Sequence, residues 1–174
     1  MTGMCKLFSV SIILIQTTLS LAVNLPEDKW YRIMPFGQGD LCYDVCYGSK
    51  EDRAQVILFE KCSGHKNQQF KFKRTSSNAY HIIPRHAYCP FKPKVLDICE
   101  GSMENRAMCI LYHKIFVSGS HRNQEFYVTH AGGHLFRIIN AKSGMPLGFD
   151  EDRNVCQKLL DFGEDTVVQL EEVN

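Results

Sequence analysis

Apolar residues occur along this chain in short runs separated by polar turn segments. Two of these runs, Gln55–Phe59 and Met108–Tyr112, are rich in β-branched, aromatic and other apolar residues, a composition that favours strands. Apolar positions spaced three and four residues apart, which would indicate amphipathic helices, are not sustained over a comparable length. The pattern therefore predicts an all-β protein.

The short runs belong to a unit that the chain repeats three times. Each unit opens with the order aromatic, basic, aliphatic, aliphatic, at residues 31–34, 80–83 and 136–139. A turn that begins with glutamate and ends in arginine follows, at residues 51–53, 104–106 and 151–153. An Asn-Gln pair precedes the last strand of the first two units, at 67–70 and 123–126, and residues 165–168 form a diverged third copy.

Three units of about four short strands fit either a three-bladed propeller or a β-trefoil. Propellers typically close with four or more blades, so we predict a β-trefoil of three internal repeats, at about 28–75, 77–130 and 132–174. The chain is long enough for one compact core and too short for two comfortable domains.

The first 22 residues are expected to be a signal peptide. Met1–Lys6 carries one positive side chain, residues 7–23 are largely apolar, and Ala22 ends a small-residue motif suited to cleavage. A membrane anchor is the alternative, but polar residues at 16–18 interrupt the apolar run. We therefore expect a domain at 23–174 that is secreted, extracellular and not inserted in a membrane.

Charge and cysteine counts narrow the choice of partners. The chain has 20 Lys and Arg and 19 Asp and Glu, so no basic excess is present to bind nucleic acid or an anionic membrane. Of the eight cysteines, Cys5 lies in the leader, which leaves an odd number. At least one thiol is then unpaired or joins a disulfide-linked partner chain.

A further set of motifs is clearest in the first unit. Leu41–Val45 contains Cys-x-Asp-aliphatic, Ile57–Cys62 reads as an apolar strand that ends in cysteine, and Asn67–Phe70 follows five residues later. This set resembles the ricin B-type lectin repeat, in which a Gln-x-Trp motif occupies the last position. Phe70 replaces the tryptophan, and the third unit has lost the motif. Through the three copies the resemblance covers nearly all of 23–174 and implies a lectin-like β-trefoil.

The resemblance implies a carbohydrate-binding pocket in each of the first two units. In the family an aspartate accepts hydrogen bonds from sugar hydroxyls, and amides beside it buttress the pocket. The matching residues are Asp44, Asn67 and Gln68 in the first unit and Asp97, Asn123 and Gln124 in the second. Each is also a candidate for a purely structural role, since buried polar groups must be paired.

The third unit departs from this pattern. It has Gly148 or Phe149 where the acid belongs, and Asp165 and Thr166 in place of the amide pair. We expect it not to bind a sugar.

The ring on which the sugar stacks also departs from the family pattern. Counting back from the second cysteine places Glu60 at the ring position of the first unit, and the repeat then places His113 and Leu160 there in the others. Because a sugar's apolar face packs on such a ring, we expect the better pocket in the second unit, on His113 with help from Tyr112.

The family also bridges two cysteines within one repeat, and Cys42 and Cys62 stand at those positions. When both positions are shifted by the repeat offset, Cys99 and Cys109 have nearly the antiparallel register of Cys42 and Cys62. We therefore predict a second disulfide between them. The sequence does not assign partners to Cys46, Cys89 and Cys156.

Catalytic and metal-binding patterns are absent from the sequence. The seven histidines show no zinc-ligand spacing, and there is no nucleophile elbow, phosphate-binding loop or His-Glu-x-x-His motif. We expect no enzyme, no metal and no cofactor. The leading interpretation is a secreted lectin-like protein with one or two shallow pockets for glycans or glycoproteins. The alternative is a non-catalytic structural or protein-interaction β-trefoil, such as a coat or wall component or a protease inhibitor.

Overall fold

The structure is a computed structural model that describes residues 23–116, 121–159 and 163–173. The predicted signal peptide at 1–22 and the predicted ring position Leu160 lie outside these residues. The described residues form twelve strands and six short 3₁₀ turns. None of the helical segments in these ranges is long and apolar enough to cross a membrane.

Each repeat supplies four strands. The first repeat has β1 Trp30–Pro35, β2 Leu41–Val45, β3 Ala54–Glu60 and β4 Phe70–Arg74. The second has β5 Tyr80–Pro84, β6 Lys94–Ile98, β7 Cys109–His113 and β8 Phe126–Gly132. The third has β9 Leu135–Asn140, β10 Leu147–Phe149, β11 Val155–Gln157 and β12 Val168–Val173.

The first and last strands of the three repeats close one barrel, in the order β1-β12-β9-β8-β5-β4. The second and third strands of each repeat form a hairpin, and β3 pairs with β7 to join the first two hairpins. Isolated β-bridges from Ile57 to Asn154 and from Met108 to Cys156 connect the third hairpin to the first two. The structure thus confirms the predicted all-β fold, a β-trefoil with three internal copies.

One hydrophobic cluster fills the centre and draws on barrel and hairpins together. Ile33, Ile82 and Ile138 hold the same place in the first strand of each repeat and are fully buried. Side chains alternate between the two faces of a strand, so the arginine or histidine before each isoleucine points away from the centre. This alternation explains why the aromatic-basic-aliphatic order recurs.

The turns that end in arginine connect neighbouring repeats. The backbone N–H of Arg53 donates to the carbonyl of Leu111 at 2.8 Å, and that of Arg106 donates to the carbonyl of Gln157 at 2.7 Å. These arginines adopt a left-handed backbone with φ of 68° each, a conformation that few residues other than glycine adopt readily. The turn of one repeat is therefore fixed by a strand of the next.

Among the described residues the structure contains no disulfide, so it does not show the predicted pairs Cys42–Cys62 and Cys99–Cys109. In the first hairpin Cys42 lies opposite Phe59, and Cys62 lies beyond the end of β3. In the second, Cys109 lies opposite Ile98 and packs into the core, whereas Cys99 borders a surface cavity. The strand register of the first hairpin differs from the one assumed for Cys42 and Cys62, because Cys62 is not part of the strand ladder.

Candidate functional site

Two equivalent polar clusters lie beside the hairpins of the first and second repeats. Asp44 is carried by β2, and its amide neighbours come from the 3₁₀ turn Lys66–Gln68 that precedes β4. Asp97 is carried by β6, and its neighbours come from the turn Arg122–Gln124 that precedes β8. The fold therefore brings together both predicted sets of three residues.

In the first cluster Asp44 accepts one amide hydrogen on each carboxylate oxygen. Asn67 Nδ2 donates to Asp44 Oδ1 at 2.8 Å and Gln68 Nε2 donates to Oδ2 at 2.9 Å. Asn67 Nδ2 also donates to the carbonyl of Val45 at 3.1 Å. The carboxylate is thus held in one orientation and keeps further lone-pair directions for a ligand.

The second cluster repeats this geometry. Asn123 Nδ2 donates to Asp97 Oδ1 at 3.0 Å, and Gln124 Nε2 donates to Asp97 Oδ2 at 2.8 Å. Asn123 Nδ2 also lies 3.3 Å from the carbonyl of Ile98, the counterpart of Val45. The first and second repeats therefore hold their aspartates in the same hydrogen-bonded arrangement.

Gln68 and Gln124 each tie their acid to the backbone at the end of the neighbouring strand. Gln68 Nε2 donates a second hydrogen bond to the carbonyl of Glu60 at 2.8 Å, and its Oε1 accepts from the N–H of Cys62 at 2.9 Å. Gln124 makes the matching bonds to the carbonyl of His113 and the N–H of Ile115. Both side chains are buried, which fits the buttressing role that the resemblance implies for the amides.

Burial sets the protonation behaviour of both acids. Desolvation raises the pKa of Asp44, and hydrogen bonds from Gln68 and Asn67 offset part of this rise. Desolvation likewise raises the pKa of Asp97 against the hydrogen bonds from Gln124 and Asn123. A positive charge on His65 beside Asp44, or on His121 beside Asp97, lowers the pKa of that acid, as the amide hydrogen bonds do.

The rings that face the two acids are Phe59 and Tyr112, one residue before the predicted positions. Asp44 lies opposite Ile57 and Asp97 lies opposite Ile110, so Phe59 and Tyr112, two residues further along, share their face of the hairpin. Counting from Cys62 failed because a one-residue shift along a strand moves a side chain to the other face. The first pocket therefore has a ring after all.

His113 is not the stacking platform that the sequence suggested. Its backbone N–H donates to Asp52 Oδ1 at 2.9 Å, and its Nδ1 lies 2.8 Å from Asp52 Oδ2. Its ring stands beside that of Tyr112, with centroids 4.3 Å apart. His113 supports the position of Tyr112 from outside the pocket.

A cavity of about 480 Å³ lies over Asp44. Ile57 and Phe59 form one wall, and Tyr47 stands at the mouth. Phe59 is 48% exposed and Tyr47 is fully exposed. The backbone of Tyr47 is left-handed, with φ of 55°. The first pocket thus combines one held carboxylate with two accessible aromatic rings.

A cavity of about 330 Å³ lies over Asp97, and its lining is more strongly charged. Glu100 takes the place of Tyr47, and Arg53 from the first repeat lies 3.4 Å from it as an ion pair. Lys142 from the third repeat also borders the cavity and donates to the carbonyl of Gly101 at 2.5 Å. All three repeats therefore contribute to the second pocket.

The third repeat has lost the acid, as expected, and the register assigns Gly148 to its position. Gly148 lies opposite Cys156 in the same way that Asp44 lies opposite Ile57. Lys158 stands where Phe59 and Tyr112 stand, and its Nζ lies 3.2 Å from Asp165 Oδ2. A β-carbon at Gly148 would lie 2.9 Å from the backbone oxygen of Asp165, so this site has no space for an acidic side chain.

Four pocket-lining residues were not predicted from the sequence: Tyr47, Phe59, Arg53 and Lys142. A signal for Tyr47 was present, because Cys46-Tyr47-Gly48 and Cys99–Gly101 are repeats of one Cys-x-Gly motif. No local signal marks Arg53 and Lys142, which reach the second pocket from other repeats.

No protein-family model matches the chain, and no curated protein sequence matches it either. Solved structures do match. A designed threefold-symmetric protein, ThreeFoil, superposes with a TM-score of 0.70 at 23% identity, over 83% of this chain and 99% of that one. The ricin B-like lectin of Macrolepiota procera, solved with lactose, gives 0.64 at 15% identity, over 87% and 100%.

A lectin of Polyporus squamosus, solved with the epitope Neu5Acα2-6Galβ1-4GlcNAc, gives a TM-score of 0.65 at 10% identity. The match covers 86% of this chain and spans 50% of the Polyporus chain. At these identities the likeness establishes fold. The chain therefore has the β-trefoil fold of the ricin B-type lectins.

Proposed function

We propose that this protein is a non-catalytic, secreted lectin that binds glycans or glycoproteins through the pockets of its first and second repeats. The observation that carries the proposal is the duplicated arrangement of a buried aspartate, held by two amides, beside an accessible ring. An ionised carboxylate accepts hydrogen bonds from sugar hydroxyls, and a ring packs against the apolar face of the sugar. The sequence pattern of residues 1–22 supports secretion.

The two pockets are proposed to differ in ligand. The first, with Phe59 and Tyr47 beside Asp44, is suited to a neutral sugar that stacks between exposed rings. The second, with Tyr112 beside Asp97 and charged side chains around it, is suited to a more polar unit. Shallow pockets of this kind bind weakly one at a time, so multivalent presentation should be needed for tight attachment.

A glycan-array screen of residues 23–174 tests the proposal, with Asp44→Ala and Asp97→Ala as pocket variants. Loss of a charged acceptor should weaken binding by roughly 1.5–3 kcal/mol, on the order of ten- to a hundredfold. Each change should affect a different subset of the bound glycans. Both variants must first be shown to be folded by circular dichroism, since each aspartate also anchors two amides.

Phe59→Ala and Tyr112→Ala test the same pockets without touching the buried hydrogen bonds. Loss of a stacking ring should weaken glycan binding about three- to tenfold. Phe91→Ala is the matched control, because Phe91 is 90% exposed and borders neither pocket. A parent protein that binds no glycan, or pocket variants that bind as well as Phe91→Ala, would contradict the lectin function.

The alternative of a protein-interaction module has one observation in its favour. Tyr88 and Phe91 project from the loop between β5 and β6, and both rings are exposed. Exposed aromatic residues are enriched where proteins meet. This function takes precedence only if the array shows no glycan binding.

A further inference from the structure

A groove continues from the second pocket and is not part of the Asp97 cluster. We call it the lateral groove and define it by Arg74, His81, Lys114, Phe116, Arg122 and Glu125. Its cavity is about 470 Å³, and it shares Ile115 and His121 with the cavity over Asp97. Cavities that bind small ligands have volumes of about 300–1,000 Å³, so both compartments have suitable volumes.

Positive charge predominates in the lateral groove. Arg74, Lys114 and Arg122 face one carboxylate, that of Glu125. Glu125 Oε2 accepts from Ser77 Oγ at 2.6 Å and lies 4.0 Å from Arg122 Nε, so its charge is already engaged. The Arg74 guanidinium donates to Asn24 Oδ1 at 2.6 Å and to the hydroxyl of Tyr80 at 2.8 Å, and its charge also acts on the Glu27 carboxylate.

Lys114 is the least compensated of these cations. Among the described residues its ammonium group makes no ion pair, and its Nζ lies 5.2 Å from the ring centroid of Phe116. Burial and the nearby charge of Lys114 lower the pKa of His81 to about 4. His81 is therefore neutral at neutral pH and does not add to or cancel the charge of Lys114.

The first repeat shows what a compensated groove looks like. Lys61 holds the position of Lys114, and its Nζ lies 3.5 Å from Glu171 and 3.8 Å from Asp40. Arg32 holds the position of His81 and also pairs with Glu171, at 3.5 Å. The same place is therefore filled by ion pairs in one repeat and left open and cationic in the other.

We infer that the lateral groove is a second subsite, which takes a carboxylate- or sulfate-bearing unit of an oligosaccharide whose neighbouring unit lies over Asp97. This inference rests on the proposed lectin function and names its ligand class. The shared wall of Ile115 and His121 provides continuity between the two units. Arg and Lys side chains recognise carboxylate and sulfate oxygens through charge-assisted hydrogen bonds. The acidic group lies away from Asp97, which avoids repulsion between like charges.

The test measures binding of residues 23–174 to pairs of immobilised glycans that differ by one sialic acid, uronic acid or sulfate group. One such pair is Neu5Acα2-6Galβ1-4GlcNAc and Galβ1-4GlcNAc. For at least one pair the acidic member should bind about three- to tenfold more tightly, and this preference should shrink as the salt concentration rises.

Lys114→Gln should reduce binding of the acidic member about three- to tenfold and leave the neutral member unchanged. Lys61→Gln is the matched control, since it removes a lysine at the equivalent position that already has two carboxylate partners. It should leave both members unchanged. Asp97→Ala should weaken both members, because it acts on the shared unit.

Each outcome separates the two proposals. Neutral glycans that bind with no acidic preference in any pair, or equal effects of Lys114→Gln and Lys61→Gln, would overturn the lateral subsite and leave the lectin function standing. A parent protein that binds neither member of any pair would overturn both.

Discussion

The carboxylates of Asp44 and Asp97 each anchor two amide side chains and are also the proposed acceptors for sugar hydroxyls. Two amides hold each acid in place, and this hydrogen bonding leaves only part of its acceptor capacity for a ligand. Burial makes the charged form costly, which is why the pKa of both acids is raised. A held, partly desolvated carboxylate interacts more strongly with a hydroxyl than a fully solvated one does.

Glycan binding should weaken in acid with a midpoint above 3.8, the ordinary pKa of aspartate. The sign follows from the raised pKa, because the folded protein takes up the proton at a higher pH than a solvated aspartate would. Protonation removes the ionised acceptor, so the loss should approach the roughly ten- to hundredfold effect of Asp97→Ala. Surface-binding measurements between pH 7 and pH 3 provide the curve.

Folding must be followed by Trp30 fluorescence over the same pH range. Protonation of Asp44 and Asp97 does not itself destabilise the fold, because their raised pKa gives the folded state the higher proton affinity. The lowered pKa of His81 acts the other way, and its contribution to stability is lost as pH falls from 6.5 towards about 4. Binding that stays constant to pH 3 in a folded protein would contradict an ionised acceptor.

At the scale of single elements, the hairpins of the three repeats differ in length and filling. β2, β3, β6 and β7 have five or more residues, whereas β10 and β11 have three each. The short third hairpin brings Gly148 against the turn that precedes β12, where the acid of the other repeats would need space. The third site is therefore closed by backbone as well as by its changed side chains.

Gly148→Asp should not restore a third pocket and should destabilise the fold by about 1–3 kcal/mol. A β-carbon there would lie 2.8 Å from Lys158 Cγ and 2.9 Å from the backbone oxygen of Asp165. A flexible lysine can move away, but the backbone carbonyl cannot do so without shifting the turn. Urea denaturation gives the change in the free energy of unfolding.

Lys158→Tyr alone is the control, and the double variant Gly148→Asp/Lys158→Tyr separates the two contacts. The double variant should remain destabilised, because the contact with Asp165 is unchanged. If the double variant gained glycan binding at wild-type stability, side chains alone would have closed the third site.

At the scale of the whole molecule, the three repeats share one core and one barrel. β12 pairs with β1 along six residues, so the last strand of the chain closes the barrel against the first. The core cluster contains residues from all twelve strands and is not divided into three parts. Folding of one repeat therefore depends on the other two.

Ile33→Ala, Ile82→Ala and Ile138→Ala should each lower the free energy of unfolding by about 2–5 kcal/mol. All three side chains are fully buried at equivalent positions. Each variant should unfold in one transition that shifts as a whole, with an unchanged denaturant slope. Met103→Ala, at a half-exposed side chain, should change stability by less than about 0.5 kcal/mol. A variant that lost only a third of the spectroscopic signal would show that the repeats fold separately.

The fold class, the threefold repeat and the two acid-amide clusters could be predicted from the amino-acid sequence. Strand periodicity is a local property, and the order of marks recurs in each copy, so both can be read without knowing how the copies pack. Asp44 and Asp97 could be placed because each stands in a short motif with its own strand. The loss of the third acid was visible for the same reason.

Three features depend on contacts made in the folded protein: which rings face the acids, where the cysteines lie and what surrounds each pocket. Ring placement and cysteine pairing depend on strand register, where one residue reverses the face. Arg53 and Lys142 enter the second pocket, and Lys114 lacks the partners of Lys61, through contacts between repeats that are far apart in the chain. Such contacts exist only once the barrel has closed, and for that reason the sequence carries no local pattern for them.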